Sequence, residues 1–171
     1  MVYIFIMHKK RVSKPPDQPS KSLLPQSPIG SLFGEGKRER RTPLANTKKK
    51  SLKILVVEPD ADYALSLSDV LERDGHNITI MQDPLRAVVN FASGHFDAVI
   101  CESYMKEQNT GQFIRDLRVR GFYQPVIIIT NIPLTVATAR LQGCDVLGIL
   151  CKPVNNQDLK RLLSEIKPMP R

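Results

Sequence analysis

Side chains that could bind a phosphoryl group stand at the ends of four apolar runs in this sequence. They are Glu58 after KILVV, Glu102 after DAVIC, Thr130 after PVIII and Lys152 after VLGILC. A hydroxyl can hydrogen-bond one phosphoryl oxygen, and a lysine ammonium can neutralise another. Carboxylates bind Mg2+, and Asp60 adds a third candidate metal ligand to Glu58 and Glu102. The set predicts a site for an oxyanion with a hard cation, supported by the neighbouring residues Asn131 and Pro153.

These side chains can meet only if the apolar runs are strands of one sheet. The pattern predicts strands at 53–58, 77–81, 97–102, 125–130 and 146–152. It predicts helices within the segments 59–75, 83–94, 110–121, 134–144 and 155–167, which include the residues that start and stop them. Asp60 is a plausible N-cap of the first helix, Pro84 lies in the first turn of the second, and Gly94 is expected after its end.

The order of these elements and the hydrophobic pattern of the strands predict the fold class. Strands and helices alternate strictly, and the apolar strands lack a period of two, which is typical of a parallel sheet buried on both faces. We therefore expect an α/β protein with a single doubly wound five-stranded parallel sheet. In such sheets ligands bind beyond the carboxyl ends of the strands, where the polar side chains stand.

Charge divides the chain into two parts. Residues 1–51 hold 12 lysines and arginines and 3 acids, a net charge of +9, whereas residues 52–171 have a net charge of −1. Residues 8–51 also contain six prolines and little apolar periodicity. This composition predicts a disordered basic N-terminal tail at 1–51, a folded domain at 52–167 and a short C-terminal tail at 168–171. The basic tail is either a solubilising extension or an electrostatic attachment to nucleic acid or to another acidic surface.

Cysteines and the first residues bear on where the protein acts. Cys101, Cys144 and Cys151 have no metal-binding spacing, so we expect reduced thiols and a cytoplasmic location. The apolar run after Met1 is too short for a membrane span, and its basic cluster follows rather than precedes it, unlike a secretory signal. Translation could start at Met1 or at Met7.

Four motifs give the chain a family resemblance. With ILVVEPD, DAVICESYM, VIIITN and CKPV in this order, residues 52–167 resemble the receiver domain of two-component response regulators. The resemblance implies the flavodoxin-like receiver fold with strand order 2-1-3-4-5. It also implies a phosphorelay signalling module rather than an enzyme, with a kinase or an output protein as partner. Because only PMPR follows the last predicted helix, we expect a stand-alone receiver or one whose output is the N-terminal tail.

The resemblance implies a role for several of the candidate residues. Glu58 matches the first of two paired acids that help bind Mg2+, and Glu102 stands at the position of the phospho-accepting aspartate. Thr130 matches the switch hydroxyl that contacts the phosphoryl group. Lys152 matches the site lysine, and Pro153 matches its usual cis-proline neighbour. Lys106 replaces a frequent proline.

Three departures from the family pattern change the functional expectation. Pro59 stands where the second acid is usual, and Ile149 replaces a common switching aromatic. Glu102 has one methylene more than aspartate, and a displacement of roughly 1 Å can slow a reaction that depends on positioning by ~100-fold. Mg2+ binding is therefore doubtful, although Asp60 could partly replace the missing acid. We expect an atypical receiver, or pseudo-receiver, in which Glu102 pairs with Lys152 and reaches toward Thr130. Such a domain would act through protein–protein interaction.

Other interpretations remain open at this point. Glu102 could itself be phosphorylated, or it could be a strand-end carboxylate without any effect on switching. The chain could instead be a nucleic-acid-associated protein that uses its basic tail. A flavodoxin-type cofactor enzyme is disfavoured, because the segment EPDADY after the first strand has no glycine for a phosphate-binding loop.

Overall fold

A computed structural model describes residues 50–106 and 108–170, which form a parallel sheet between two layers of helices. The strands are β1 Lys53–Val57, β2 Asn77–Met81, β3 Ala98–Glu102, β4 Val126–Thr130 and β5 Gly148–Cys151. The helices are α1 Ala61–Arg73, α2 Pro84–Gly94, α3 Thr110–Val119, α4 Leu134–Arg140 and α5 Asn156–Glu165. The strand order is β2-β1-β3-β4-β5 and every pairing is parallel. The predicted fold class and strand order are confirmed.

The sheet is covered on both faces, which explains why its strands lack polar alternation. Successive strand residues point to opposite faces. Leu55 and Val57 pack with residues of α2, α3 and α4, whereas Ile54 and Val56 pack with residues of α1 and α5. Every residue of β3 and β4 is buried. This sandwich fixes the carboxyl ends of the strands relative to one another and therefore positions the polar side chains there.

Most of the predicted strand ends differ from the structure by one residue or less. Glu102 and Thr130 are the last residues of β3 and β4, as the sequence predicts. Glu58 and Lys152 lie one residue beyond β1 and β5 rather than within them. Helix α4 stops at Arg140, before the predicted end at residue 144, and a turn with Gly143 at a φ of 80° follows.

The prediction for Gly94 is wrong. Helix α2 includes Gly94, and the residue in the left-handed conformation after it is His95, with φ 48° and ψ 55°. A β-carbon at Gly94 would overlap the ring of Phe96, which is buried against the helix end. The glycine therefore allows a close approach of an aromatic ring and does not supply the positive φ.

Side-chain caps begin four of the five helices in the described part of the chain. Asp60 caps α1 as predicted, and Asp83, Asn109 and Asn155 cap α2, α3 and α5. Each accepts hydrogen bonds from two backbone N–H groups that lack partners within the helix. Helix α4 follows Pro133 and has no side-chain cap.

The predicted C-terminal tail is partly docked on the domain. The backbone N–H of Met169 donates to Asp97 Oδ1 at 2.7 Å, and the N–H of Lys53 donates to Asp97 Oδ2 at 2.7 Å. Asp97 is buried, so its carboxylate ties this segment to the start of β1. Apart from Lys50 and Ser51, the predicted basic tail lies outside the described residues. Within the described ranges, no helix has the length and apolar character needed to cross a membrane.

We predict that a chain lacking residues 1–49 unfolds in one cooperative thermal transition, with a midpoint close to that of the full chain. The physical reason is that the ten elements and two apolar cores found in residues 50–106 and 108–170 all lie after this segment. Circular dichroism and calorimetry on the two chains provide the test. A broad transition after truncation would show that the deleted residues contribute to the core.

Candidate functional site

Lys152 lies between two buried carboxylates at the carboxyl ends of the strands. Its Nζ is 2.6 Å from Glu102 Oε2 and 2.8 Å from Glu58 Oε2. Only 7% of the Glu102 side chain and 2% of the Glu58 side chain are exposed. The structure thus brings together the predicted pair of Glu102 and Lys152 and adds Glu58 to it. An ammonium shared by two desolvated carboxylates offsets part of the cost of burying both charges.

Tyr63, which the sequence did not single out, covers the lysine from the side of α1. The Lys152 Nζ lies 4.1 Å from the centroid of its ring, a cation–π distance. Burial raises the pKa of Tyr63, although the nearby Lys152 ammonium and the backbone of Val154 act to lower it. Its place in the first turn after Glu58 indicated that it would be near the site but not that its ring would face Lys152.

The electrostatic balance favours a charged lysine. Burial by itself would lower the pKa of Lys152, but the hydrogen bonds to Glu102 and Glu58 outweigh it and raise the pKa above its ordinary value. Lys152 therefore stays protonated at neutral pH and keeps both carboxylates bound. The peptide bond from Lys152 to Pro153 is cis, as the family resemblance implies.

The second oxygen of Glu102 is also fully engaged. Its Oε1 accepts hydrogen bonds from Ser103 N at 2.6 Å, from Ser103 Oγ at 2.8 Å and from Tyr104 N at 3.3 Å. Both carboxylate oxygens thus have partners within the protein. Ser103 is a residue that sequence reasoning missed, because a serine after a strand-end acid is not by itself distinctive.

Thr130 is connected to Glu102 through Ser103. The two hydroxyl oxygens, Thr130 Oγ1 and Ser103 Oγ, are 2.5 Å apart. Thr130 Oγ1 also accepts a hydrogen bond from the backbone N–H of Ile132 at 3.2 Å. The expectation that Glu102 reaches toward Thr130 therefore needs a refinement, since a serine hydroxyl stands between them. Thr130 and Ser103 are both buried.

Two of the three predicted metal ligands converge on the Lys152 ammonium, and the third caps a helix. Glu58 and Glu102 bind Lys152, whereas Asp60 is exposed and its Oδ1 accepts the N–H groups of Asp62 and Tyr63. No group of three or more His, Cys, Asp or Glu side chains suitable for a metal ion occurs in residues 50–106 and 108–170. Asp60 therefore acts as a helix cap here.

A shallow cleft of about 170 Å³ opens above the ion pairs. Its lining residues are Glu58, Pro59, Asp60, Glu102, Tyr104, Asn131 and Lys152. Asn131, the predicted supporting residue after Thr130, is exposed at this opening. The cleft keeps Lys152 partly accessible, with 16% of its side chain exposed. The predicted site residues therefore share one opening, although Thr130 lies beneath it.

The neighbouring buried side chains are a thiol and apolar groups that offer no further reactive group to the site. Cys101 precedes Glu102 and is fully buried, and this burial, followed by the charges of Glu102 and Glu58, raises the pKa of its thiol. All three cysteines are free thiols, as expected from their spacing. Ile149, at the position where the family often has an aromatic, is buried in the core that packs against α2, α3 and α4.

A double-mutant cycle should reveal strong coupling between Glu102 and Lys152. We predict that Glu102→Gln and Lys152→Met each destabilise the protein, with a coupling of about 1 kcal/mol or more between them. The single change at Lys152 should cost more, because it leaves two buried carboxylates without their common cation. The measurement is the free energy of unfolding in urea for the four chains.

The pair of Lys160 and Asp74 provides a matched control. Its N–O distance is 3.0 Å, but 56% of the lysine side chain is exposed. Because the lysine is largely in water, this pair should contribute only roughly 0.2–1 kcal/mol, so the same cycle with Lys160→Met and Asp74→Asn should give a smaller coupling. Equal couplings at the two pairs would contradict the view that burial makes the Lys152 contact strong.

Solved structures of receiver domains have the same fold. Vibrio cholerae chemotaxis protein CheY4 superposes with a TM-score of 0.63 at 19% identity, covering 69% of this chain and 100% of that chain. The receiver domain of sensor histidine kinase PA1611 from Pseudomonas aeruginosa, which has a magnesium ion in its active-site cleft, gives 0.62 at 21% identity. That match covers 68% of this chain and 97% of that chain.

Comparison with curated sequences points to the same family. Residues 54–164 match the model of the response regulator receiver domain. The chain is 29% identical over 125 residues to the transcriptional regulatory protein TcrA of Mycobacterium tuberculosis, covering 70% of this chain and 49% of that protein. It is 25% identical over 112 residues to the transcriptional regulatory protein ZraR of Klebsiella oxytoca, covering 66% and 25%. The chain spans about half or less of the length of these relatives. With the fold and the strand-end residues in place, the match shows that this chain belongs to the response regulator receiver domain family of two-component systems.

Proposed function

We propose that this receiver domain is an atypical one, in which Glu102 permanently holds Lys152 and the domain signals through protein–protein contacts without phosphoryl transfer. The observation that carries the proposal is that both oxygens of the Glu102 carboxylate have partners within the protein. One oxygen is bound to Lys152 at 2.6 Å, and the other accepts three hydrogen bonds. The lysine is thus held by a glutamate where the family resemblance places a phospho-accepting aspartate.

The geometry disfavours attack by Glu102 on a phosphodonor. A nucleophilic oxygen needs a free lone pair aligned with the phosphorus atom and its leaving group. Oε1 would have to release hydrogen bonds from Ser103 and Tyr104, and Oε2 would have to turn toward the phosphorus atom while it is bound to the Lys152 ammonium. Only 7% of the Glu102 side chain is exposed, so a phosphodonor has little access to it. These contacts support a structural rather than a nucleophilic role for Glu102.

The residues also fit Mg2+ poorly. A divalent cation would need the oxygens of Glu58 and Glu102, and one oxygen of each already binds the Lys152 ammonium. Pro59 has no side-chain oxygen to offer, and Asp60 is used as the cap of α1. Mg2+ prefers several oxygen ligands in octahedral geometry. We therefore propose that the domain reaches its signalling conformation without this ion.

A fixed ion pair can present a constant surface to a partner. Glu102, Lys152 and Thr130 belong to the ends of neighbouring strands, so their contacts hold β3, β4 and β5 in one arrangement. The family resemblance implies that β5 and α5 form much of the partner surface. The partner class that follows is a signalling protein, either a kinase or an output protein.

We predict that the full chain incorporates little phosphate from acetyl phosphate and Mg2+. Labelling should lie ~100-fold below that of an aspartate-containing receiver, because the carboxylate is displaced and already bound. Phosphate incorporation is measured by intact-mass spectrometry, with Glu102→Gln as the background. Stoichiometric modification mapped to Glu102 would contradict the proposal.

Two matched variants make the labelling experiment sharper. Glu102→Asp alone should restore little, because Pro59 still removes a metal-side acid. The double change Pro59→Asp with Glu102→Asp should increase labelling, because it reverses two of the three departures from the family pattern and restores both acids. If neither variant exceeds the Glu102→Gln background, the shielding of the site rather than these two residues prevents the reaction.

A second candidate function involves nucleic acid, and the unequal charge distribution favours it. Residues 1–51 have a net charge of +9, and the two curated relatives are described as transcriptional regulatory proteins. We predict that the full chain binds duplex DNA with an affinity that falls steeply with salt, because lysines and arginines release counterions from phosphates. Fluorescence anisotropy at several salt concentrations measures the slope. Binding that persists unchanged after deletion of residues 1–49 would exclude the tail as its source.

A further inference from the structure

We propose that Ser103 is a positioning residue that holds the Thr130 hydroxyl toward Glu102 and thereby couples the ion pair to the entry of α4. This inference rests on the proposed function. In a domain without phosphoryl transfer, the Ser103 hydroxyl would be the partner of Thr130 in place of a phosphoryl oxygen. It is carried by four consecutive polar contacts. They run from Lys152 to Glu102, from Glu102 to Ser103, from Ser103 to Thr130 and from Thr130 to Ile132.

The chemistry of the groups determines the direction of every hydrogen bond in this series. The ionised Glu102 carboxylate can only accept, so the Ser103 hydroxyl uses its single proton to donate to Oε1. The proton between the two hydroxyls must then come from Thr130, which donates to Ser103 Oγ. The backbone N–H of Ile132 donates to Thr130 Oγ1. All donors therefore point toward the carboxylate, with no alternative orientation while Glu102 is ionised.

The arrangement makes the threonine orientation depend on the serine. Thr130 is fully buried and Ser103 is 5% exposed, so water cannot easily replace a missing hydroxyl. Buried polar groups without a partner are costly, and hydrogen bonds in a series polarise one another. Removal of the Ser103 hydroxyl would leave the Thr130 proton without its acceptor. The threonine side chain would then be free to turn away from the site.

Helix α4 is sensitive to this orientation because its beginning has little other support. It lacks the side-chain cap that α1, α2, α3 and α5 each have. It is also short, at seven residues. The bond from Ile132 N to Thr130 Oγ1 fixes the backbone two residues before α4 begins. A change at Glu102 can therefore reach the α4 entry through Ser103 and Thr130.

Amide NMR on the 15N-labelled full chain, without any phosphodonor, tests this coupling. We expect Glu102→Gln, introduced alone, to shift the Ile132 amide resonance. The same change should cause no such shift in a chain that also carries Ser103→Ala. Hydrogen-exchange protection of the Ile132 amide should fall by about two- to tenfold in Ser103→Ala, the range expected for one net hydrogen bond. An equal response to Glu102→Gln with and without Ser103, or no response at all, would overturn the proposal.

Ser68→Ala is the matched control. Ser68 is a buried serine on α1 whose hydroxyl donates to a carboxylate oxygen, Glu72 Oε1, at 3.2 Å. Its replacement removes the same kind of bond without touching the series at Glu102. We expect the Ile132 response to Glu102→Gln to persist in this variant. A loss of the response there as well would show that general destabilisation is being measured, and the proposal would fail.

Two variants at Thr130 keep the test decisive if Ser103→Ala does not fold. Thr130→Val keeps the shape of the side chain but removes the hydroxyl, whereas Thr130→Ser keeps the hydroxyl. We expect the response of the Ile132 amide to be lost with valine and kept with serine, and equal responses would overturn the proposal. The absence of phosphodonor separates this outcome from the labelling experiment. Phosphorylation of Glu102 would refute the proposed function, whereas an uncoupled Ile132 amide would refute the role of Ser103 alone.

Discussion

The contact on which the rest of this site depends is a single ammonium group shared by two buried carboxylates. Glu58 and Glu102 are almost completely removed from water, and neither could remain charged there without a partner. Lys152 supplies one positive charge for two negative ones. Backbone and hydroxyl donors from Asp60, Ser103 and Tyr104 supply the remaining stabilisation. Removal of the lysine would therefore affect both acids at once.

This constraint is met through the order of the strands. Glu58 follows β1, Glu102 ends β3 and Lys152 follows β5, so the charges approach from three strands of one sheet. Strand ends two positions apart are roughly 10 Å from one another at about 4.8 Å per strand, a distance that the long side chains of lysine and glutamate can close. The extra methylene of Glu102 thus helps the direct contact, although it displaces the carboxylate from the position that an aspartate would occupy.

In this site every charged group has a partner in one arrangement of the side chains. A second conformation would have to break these contacts. A ligand can shift an equilibrium between two states only by binding one of them better. Here the acids, the lysine, Ser103 and Thr130 are already bound to one another, so a phosphodonor would have to displace existing contacts. The proposed loss of phosphoryl transfer and the proposed constant partner surface have this common cause. Differences in signalling would then arise from the amount of protein or its partner.

The sequence by itself determined the α/β class, the strand order through the family motifs, and the set of charged residues at the strand ends. Apolar runs and capping residues such as Asp60 are local signals, and local patterns are sufficient to identify strands and helix starts. Tertiary structure decided which of these groups touch. Glu58 and Lys152 are 94 residues apart in the chain, and Ser103 and Thr130 are 27 apart. The contacts of Ser103 and Tyr63 depend on side-chain directions that no local pattern encodes, because these directions are set by packing between distant elements.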